Sequence, residues 1–159
     1  MVIKNGQVFD GSGTESKTVD IAITGNTIIK VGKINSKKST RVIDASGLIV
    51  SPGFIDTHAH LDPMDNLIKL SDSESHVRQG VTTSFGGPDG RGVPLKYGFK
   101  QYLDTIEKVG VGMNMGFLTG HNKIRRVVMN LDNREPTNDE LEIMKNLASK
   151  AMDEGAFGI

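Results

Sequence analysis

The sequence predicts an α/β protein: a small antiparallel β layer over residues 1–51, followed by parallel-sheet βα units over residues 52–159. Three observations carry this. The first fifty residues alternate short β-rich runs with turn signals such as Asn5-Gly6 and Gly25-Asn26. After Ser51-Pro52-Gly53, β-like runs alternate with helix-like ones, the pattern of parallel βα units. Glycine is frequent at 19 residues and aromatics make up only 5%, which favours short strands and tight turns over a bundle of long helices.

Taken in order, Val2-Ile3 and Gln7-Val8-Phe9 are expected as strands around an Asn5-Gly6 turn, with Asp10-Gly11-Ser12-Gly13 as a loop. Val19–Ile23 alternates apolar and polar residues, and Thr27–Val31 completes a hairpin across Gly25-Asn26. Arg41–Asp44 and Leu48–Val50 are two further short strands. Beyond Gly53, Phe54-Ile55-Asp56 reads as a strand, about Ser71 to Gln79 as a helix stopped by Gly80, and Val81–Phe85 as the next strand. Phe99, Tyr102, Leu103 and Ile106 share one helical face, with a stop near Gly110, and Val111–Leu118 is a third strand. Thr137, three residues before Glu140, forms a capping-box pattern for a helix with a Leu141, Met144, Leu147, Ala151, Met152 stripe, which Gly155 ends. Ala156–Ile159 reads as the opening of a fourth strand.

Charge and composition narrow the function classes. Lys+Arg and Asp+Glu balance at 19 each, without a basic cluster, so neither nucleic acid nor an anionic membrane is an expected partner. No apolar run reaches the roughly 18 residues of a membrane span, and the amino terminus lacks a signal-peptide layout. Cysteine is absent, which rules out disulfides and thiolate metal sites within the chain. A soluble, cytoplasmic protein is expected.

The chemistry-bearing residues gather at strand ends. In His58-Ala59-His60, residues two apart on a strand project to the same face, so both imidazoles can reach one ion. The alternative is a pair of partly exposed loop histidines. Asp56 and Asp62 flank the pair. Asp89 lies after the next strand in Gly86-Gly87-Pro88-Asp89-Gly90, either as a carboxylate aimed at the same ion or as a plain turn residue. His121 follows the third strand with the same ambiguity. Arg125-Arg126 can hold a substrate carboxylate or simply be solvated, and His76 is expected on a helix surface.

These segments resemble a known family. GLIVSPGFIDTHAH, from Gly47 to His60, looks like the entry strand of the amidohydrolase superfamily. GVTTSFGGPDG from Gly80, GHNKIRRVVM from Gly120 and the REPTNDELEIMKNLASKAMDEGAFGI block from Arg134 resemble its N-acyl-D-amino-acid deacylase branch. The likeness runs from about residue 2 to the last residue.

The resemblance implies the first three to four strands of a (β/α)8 TIM-type barrel, preceded by a small β-sandwich subdomain built from both ends of the chain. It implies hydrolysis of an N-acyl amide to a carboxylate and a D-amino acid. His58 and His60 are then metal ligands, and Asp89 falls where many members carry a metal-binding cysteine. His121 and Arg125 are the expected substrate-binding residues, and the substrate a small N-acyl amino acid. The implied cofactor is a divalent metal, zinc first, with manganese or iron brought closer because a carboxylate in place of a thiolate hardens the site. Such an ion lowers the pKa of water to about 7 and polarises the scissile carbonyl. In the superfamily the proton-accepting carboxylate and further histidines come from later strands, so the chain is expected to be an amino-terminal portion, inactive alone. Two other readings stand beside this one: a non-catalytic scaffold or half of an assembly, and a cyclic amidohydrolase of the dihydroorotase or hydantoinase kind.

Overall fold

The computed structural model describes residues 1–61, 64–93, 95 and 98–159. The chain divides into two compact units, Met1–Pro52 and Gly53–Ile159.

The first unit is a five-stranded mixed sheet built around β1 (Val2–Val8). On one edge β1 pairs antiparallel with β2 (Lys17–Thr24), which continues into β3 (Thr27–Gly32) across the Gly25-Asn26 turn. On the other edge β4 (Val42–Asp44) pairs parallel with the first half of β1, and β5 (Ile49–Val50) pairs parallel with its second half. The expected all-antiparallel layer is therefore corrected to a mixed one.

The expected turn at Asn5-Gly6 is also corrected: β1 runs straight through it as a bulge, with the register against β2 shifting between Ile3 and Gly6. Asn5 takes φ +61, a left-handed conformation that Asn tolerates better than most residues. Its N–H donates to Asp20 Oδ1 at 3.1 Å, while Asp20 Oδ2 accepts from Ile34 N–H at 3.1 Å. Tertiary partners thus overrode a local turn signal. Gly6 is required because a Cβ there would meet Val50 Cγ2 at 2.5 Å. Val2, Ile21, Ala22 and Ala45 are buried in this unit. Its apolar side chains Ile3, Val19, Ile21, Ile23 and Val50 also line a concavity of about 590 Å³.

The second unit is a parallel sheet ordered β6 (Phe54–Ala59), β7 (Val81–Gly86), β8 (Asn114–Phe117). Between β6 and β7 lie two short helices, α1 (Met64–Lys69) and α2 (Glu74–Val77), in place of the single helix expected from Ser71. Ser73, in a left-handed conformation at φ +52, separates the two and sets the start of α2. Helix α3 (Phe99–Val109) links β7 to β8 and packs Phe99, Tyr102 and Ile106 against Phe117. Its amino terminus lacks a local cap. Instead Glu154 Oε2 accepts from the N–H groups of Phe99 and Lys100 at 2.8 and 3.1 Å, and these bonds hold its carboxyl below the usual range.

Strand β8 is shorter than the expected 111–118, and Gly112 N–H donates to Ser71 O at 2.7 Å in place of a strand partner. Helix α4 (His121–Met129) follows, then α5 (Asn138–Asp153), and the two bury Ile124, Met129 and Met144 between them. The capping box of α5 is complete: Thr137 Oγ1 accepts from Glu140 N–H, and the Glu140 carboxylate accepts from Thr137 N–H. Residues 156–159 form no strand; two backbone hydrogen bonds, Phe157 N–H to Phe117 O and Thr119 N–H to Gly158 O, tie them to the end of β8. Among the described residues, no helix is long and apolar enough to cross a membrane.

Candidate metal centre

The carboxyl ends of β6 and β7 bring three of the sequence-predicted residues together. Strand β6 extends through His58, farther than the expected Phe54–Asp56, and its two-residue period sets His58 and His60 on one face. Ala59 between them points the other way and packs with Leu61 and Met113. Asp56 Oδ1 accepts from the His58 N–H at 3.0 Å and steadies the strand end. The two rings meet edge to face, with centroids 5.5 Å apart.

Asp89 reaches this pair from the loop after β7. Its Oδ2 lies 3.5 Å from His58 Nε2 and 3.4 Å from His60 Nε2. One donor atom from each of the three residues falls within 4.8 Å of the others, and the side chains are 63%, 48% and 59% exposed. Two imidazole nitrogens and a carboxylate oxygen converging this closely form a donor set that a divalent transition ion fits. Asp62, which flanks the pair in sequence, lies outside the described residues.

The loop carrying Asp89 is a tight turn that brings its carboxylate to the histidine pair. Asp89 adopts φ +58, between Gly87 at φ +90 and Gly90 at φ +70. Arg91 N–H donates to Pro88 O and Gly92 N–H to Gly87 O, closing the loop on itself. Leu118 N–H donates to Gly86 O and Val93 N–H to Leu118 O, which stitches the loop to the exit of β8.

The remaining candidates sit differently. His121 is the first residue of α4 and is exposed. Arg125 is turned to structure: its Nη2 donates to the backbone oxygens of Asp132 and Arg134 at 2.8 and 2.7 Å, bracing the α4–α5 loop. Arg126 is exposed in the last turn of α4. His76 lies in α2, half-buried, with Nδ1 3.3 Å from Ser75 Oγ. Sequence reasoning passed over Gly92, Gly120 and Asn122, although the density of glycine around Asp89 was a signal of close backbone approach.

The fold and this cluster form a candidate metal site, and comparison with known proteins places the chain among hydrolases. Residues 41–157 match the model of the amidohydrolase family. The chain is 31% identical to the D-aminoacylase of Alcaligenes xylosoxydans xylosoxydans, an alignment covering 100% of this chain and 37% of that enzyme. It is 38% identical to the dihydroorotase of Bacillus subtilis (strain 168), but over only 58% of this chain and 22% of that enzyme. A D-aminoacylase crystal structure superposes with a TM-score of 0.88 at 32% identity, covering 99% of this chain and 37% of that one. The zinc and phosphonate complex of N-acyl-D-glutamate deacylase from Bordetella bronchiseptica follows at 0.85 and 26%, with the same coverage. The chain belongs to the amidohydrolase family. It spans little more than a third of the length of these deacylases.

Proposed function

We propose that this chain supplies the first metal ligands of an enzyme that hydrolyses N-acyl-D-amino acids, with His58, His60 and Asp89 holding a divalent ion, zinc in preference to manganese or iron. The observation that carries the reading is the approach of both histidine Nε2 atoms to one Asp89 oxygen, at 3.5 and 3.4 Å, at adjacent strand ends. Likeness over the whole chain to deacylases acting on D-amino-acid derivatives supports the substrate class. The dihydroorotase likeness is confined to part of the chain, which ranks a cyclic amide second.

In this reading β6, β7 and β8 are the first three strands of a (β/α)8 barrel, whose functional groups lie at the carboxyl ends of its strands. Residues 1–51 are the amino-terminal contribution to a small β-sandwich, and residues 52–159 open the barrel. We place the enzyme in the cytoplasm.

A divalent ion at this site supplies Lewis acidity: it polarises an amide carbonyl and makes a water acidic enough to act near neutral pH. The chain's own residues do the rest. His58 and His60 present imidazole nitrogens from the strand end, Asp56 holds the His58 N–H, and Asp89 adds a carboxylate oxygen. His121, opening α4 beside the Asp89 loop, is proposed to face the substrate. Arg125, braced by its bonds to the 132–134 backbone, is proposed to serve the substrate beside it.

The test is hydrolysis by the full-length protein of N-acetyl-D-amino acids, N-acetyl-L-amino acids and dihydroorotate, before and after chelation and zinc return. Zinc-dependent release of the D-amino acid is expected. Ring opening of dihydroorotate without D-amino-acid release would replace this reading by the cyclic one.

A further inference from the structure

We infer that Gly92, Gly120 and Asn122 are positioning residues for Asp89: a seam of backbone contacts, remote from the ligand atoms, sets the reach of the third ligand. The inference rests on the reading of Asp89 as a metal ligand. Asp89 is the one member of the cluster that does not sit on a strand or at its end, so strand geometry cannot place it. What places it is the contact between residues 87–92 and residues 118–122.

The seam is closed to side chains. A Cβ on Gly92 would run into Gly120 N and Cα, and one on Gly120 would run into Gly90 O and Arg91 C. A Cβ on Gly87 would lie 2.8 Å from Gly92 Cα and 2.9 Å from Leu118 O. These obstacles are backbone atoms, which cannot swing aside as a flexible side chain would. Gly92 also holds φ +44.

Asn122 closes the far end, donating from Nδ2 to Asp89 O at 3.3 Å while its amide lies 2.7 Å from where a Cβ on Gly90 would stand. The peptide of the ligand residue itself is therefore held from α4. A displacement of the seam by even the radius of a methyl group is transmitted to a carboxylate one side chain away, because the loop is also closed internally by the Arg91 N–H to Pro88 O and Gly92 N–H to Gly87 O bonds. The seam joins two candidate functions as well, since His121 lies between Gly120 and Asn122.

Gly120 has φ −91, which alanine adopts freely, so Gly120→Ala tests the space alone. Asn122 is exposed, so Asn122→Ala removes the hydrogen bond without intruding and serves if the glycine variant fails to fold. Both are made in the full-length protein beside Asp89→Asn. Zinc affinity is measured by competition with a chromophoric chelator, and the visible spectrum is recorded after Co(II) substitution, with far-UV circular dichroism on the same samples. Gly120→Ala is expected to weaken zinc by about 10-fold or more, the scale seen when groups supporting metal ligands are lost. Asn122→Ala should weaken it by about 5-fold, one neutral hydrogen bond, and both should shift the Co(II) bands with secondary structure intact. Wild-type affinity and spectra in both, with Asp89→Asn impaired, would overturn the seam and leave Asp89 a ligand. Unchanged affinity in Asp89→Asn would instead remove the ligand reading, and the seam inference with it.

Discussion

The exits of β6 and β7 deliver the proposed ligands to the same place by opposite means. At β6 the spacing of His58 and His60 follows from strand periodicity, and the flanking Asp56 bond is only two residues long. At β7 the proposed ligand, Asp89, stands in a left-handed conformation inside a glycine-rich loop, held by residues some thirty positions later in the chain. One half of the site is written locally and the other is written by tertiary contact. Local halves tolerate distant change, whereas non-local halves report it.

The largest expected effect tests the local half. His58→Ala combined with His60→Ala in the full-length protein should reduce metal content and amide hydrolysis to background while leaving the thermal melt nearly unchanged, since both side chains are largely exposed. Elemental analysis showing wild-type metal in the double variant would break the comparison at its root. Asp89→Asn comes next: it keeps a residue that tolerates positive φ but removes the charge, so zinc affinity should fall by about 10-fold or more. Equal affinity in a chelator competition would return Asp89 to the role of a turn residue.

Helices α4 and α5 show the same contrast without metal. Helix α5 opens on its own capping box, so Thr137→Ala should cost about 1 kcal/mol by chemical denaturation. A variant as stable as the parent would show that packing, not the cap, holds that end.

A smaller effect concerns acid. Arg134 hydrogen-bonds Glu140, and the Thr137 N–H adds to it, lowering the carboxyl from 4.5 to about 2. Because the folded pKa is the lower one, this contribution is complete above the unfolded value of 4.5 and fades as pH falls toward about 2. Melting temperature should therefore decline over that window, and Glu140→Gln should flatten the decline. An identical acid profile in the two proteins would discard the assignment.

How much of this was legible follows from the same distinction. The capping box, the Phe99–Ile106 face and the His58–His60 pair rest on residues two to four apart, and each appeared where the pattern put it. Helix α4 was not foreseen: it has no side-chain cap, and its adjacent Val127 and Val128 favour strands. Its stop at Asn130, φ +56, was a readable signal. The Asn5-Gly6 pair misled because Asp20, fifteen residues away, converts a turn sequence into a bulge. The bracing bonds of Arg125 were not foreseen for the same reason, since its acceptors are main-chain oxygens that no residue letter announces.

The interlocked glycines also define a unit of exchange. Because Gly120 occupies the space a Cβ on Gly92 would need, and Gly90 and Arg91 the space a Cβ on Gly120 would need, neither position can drift to a larger residue unless the facing backbone moves with it. A recombination that brought in a new 86–92 loop alone would carry its ligand onto a mismatched floor. Residues 86–92 and 118–122 form a single cassette, and a designer who wishes to change the third ligand must transplant both pieces together.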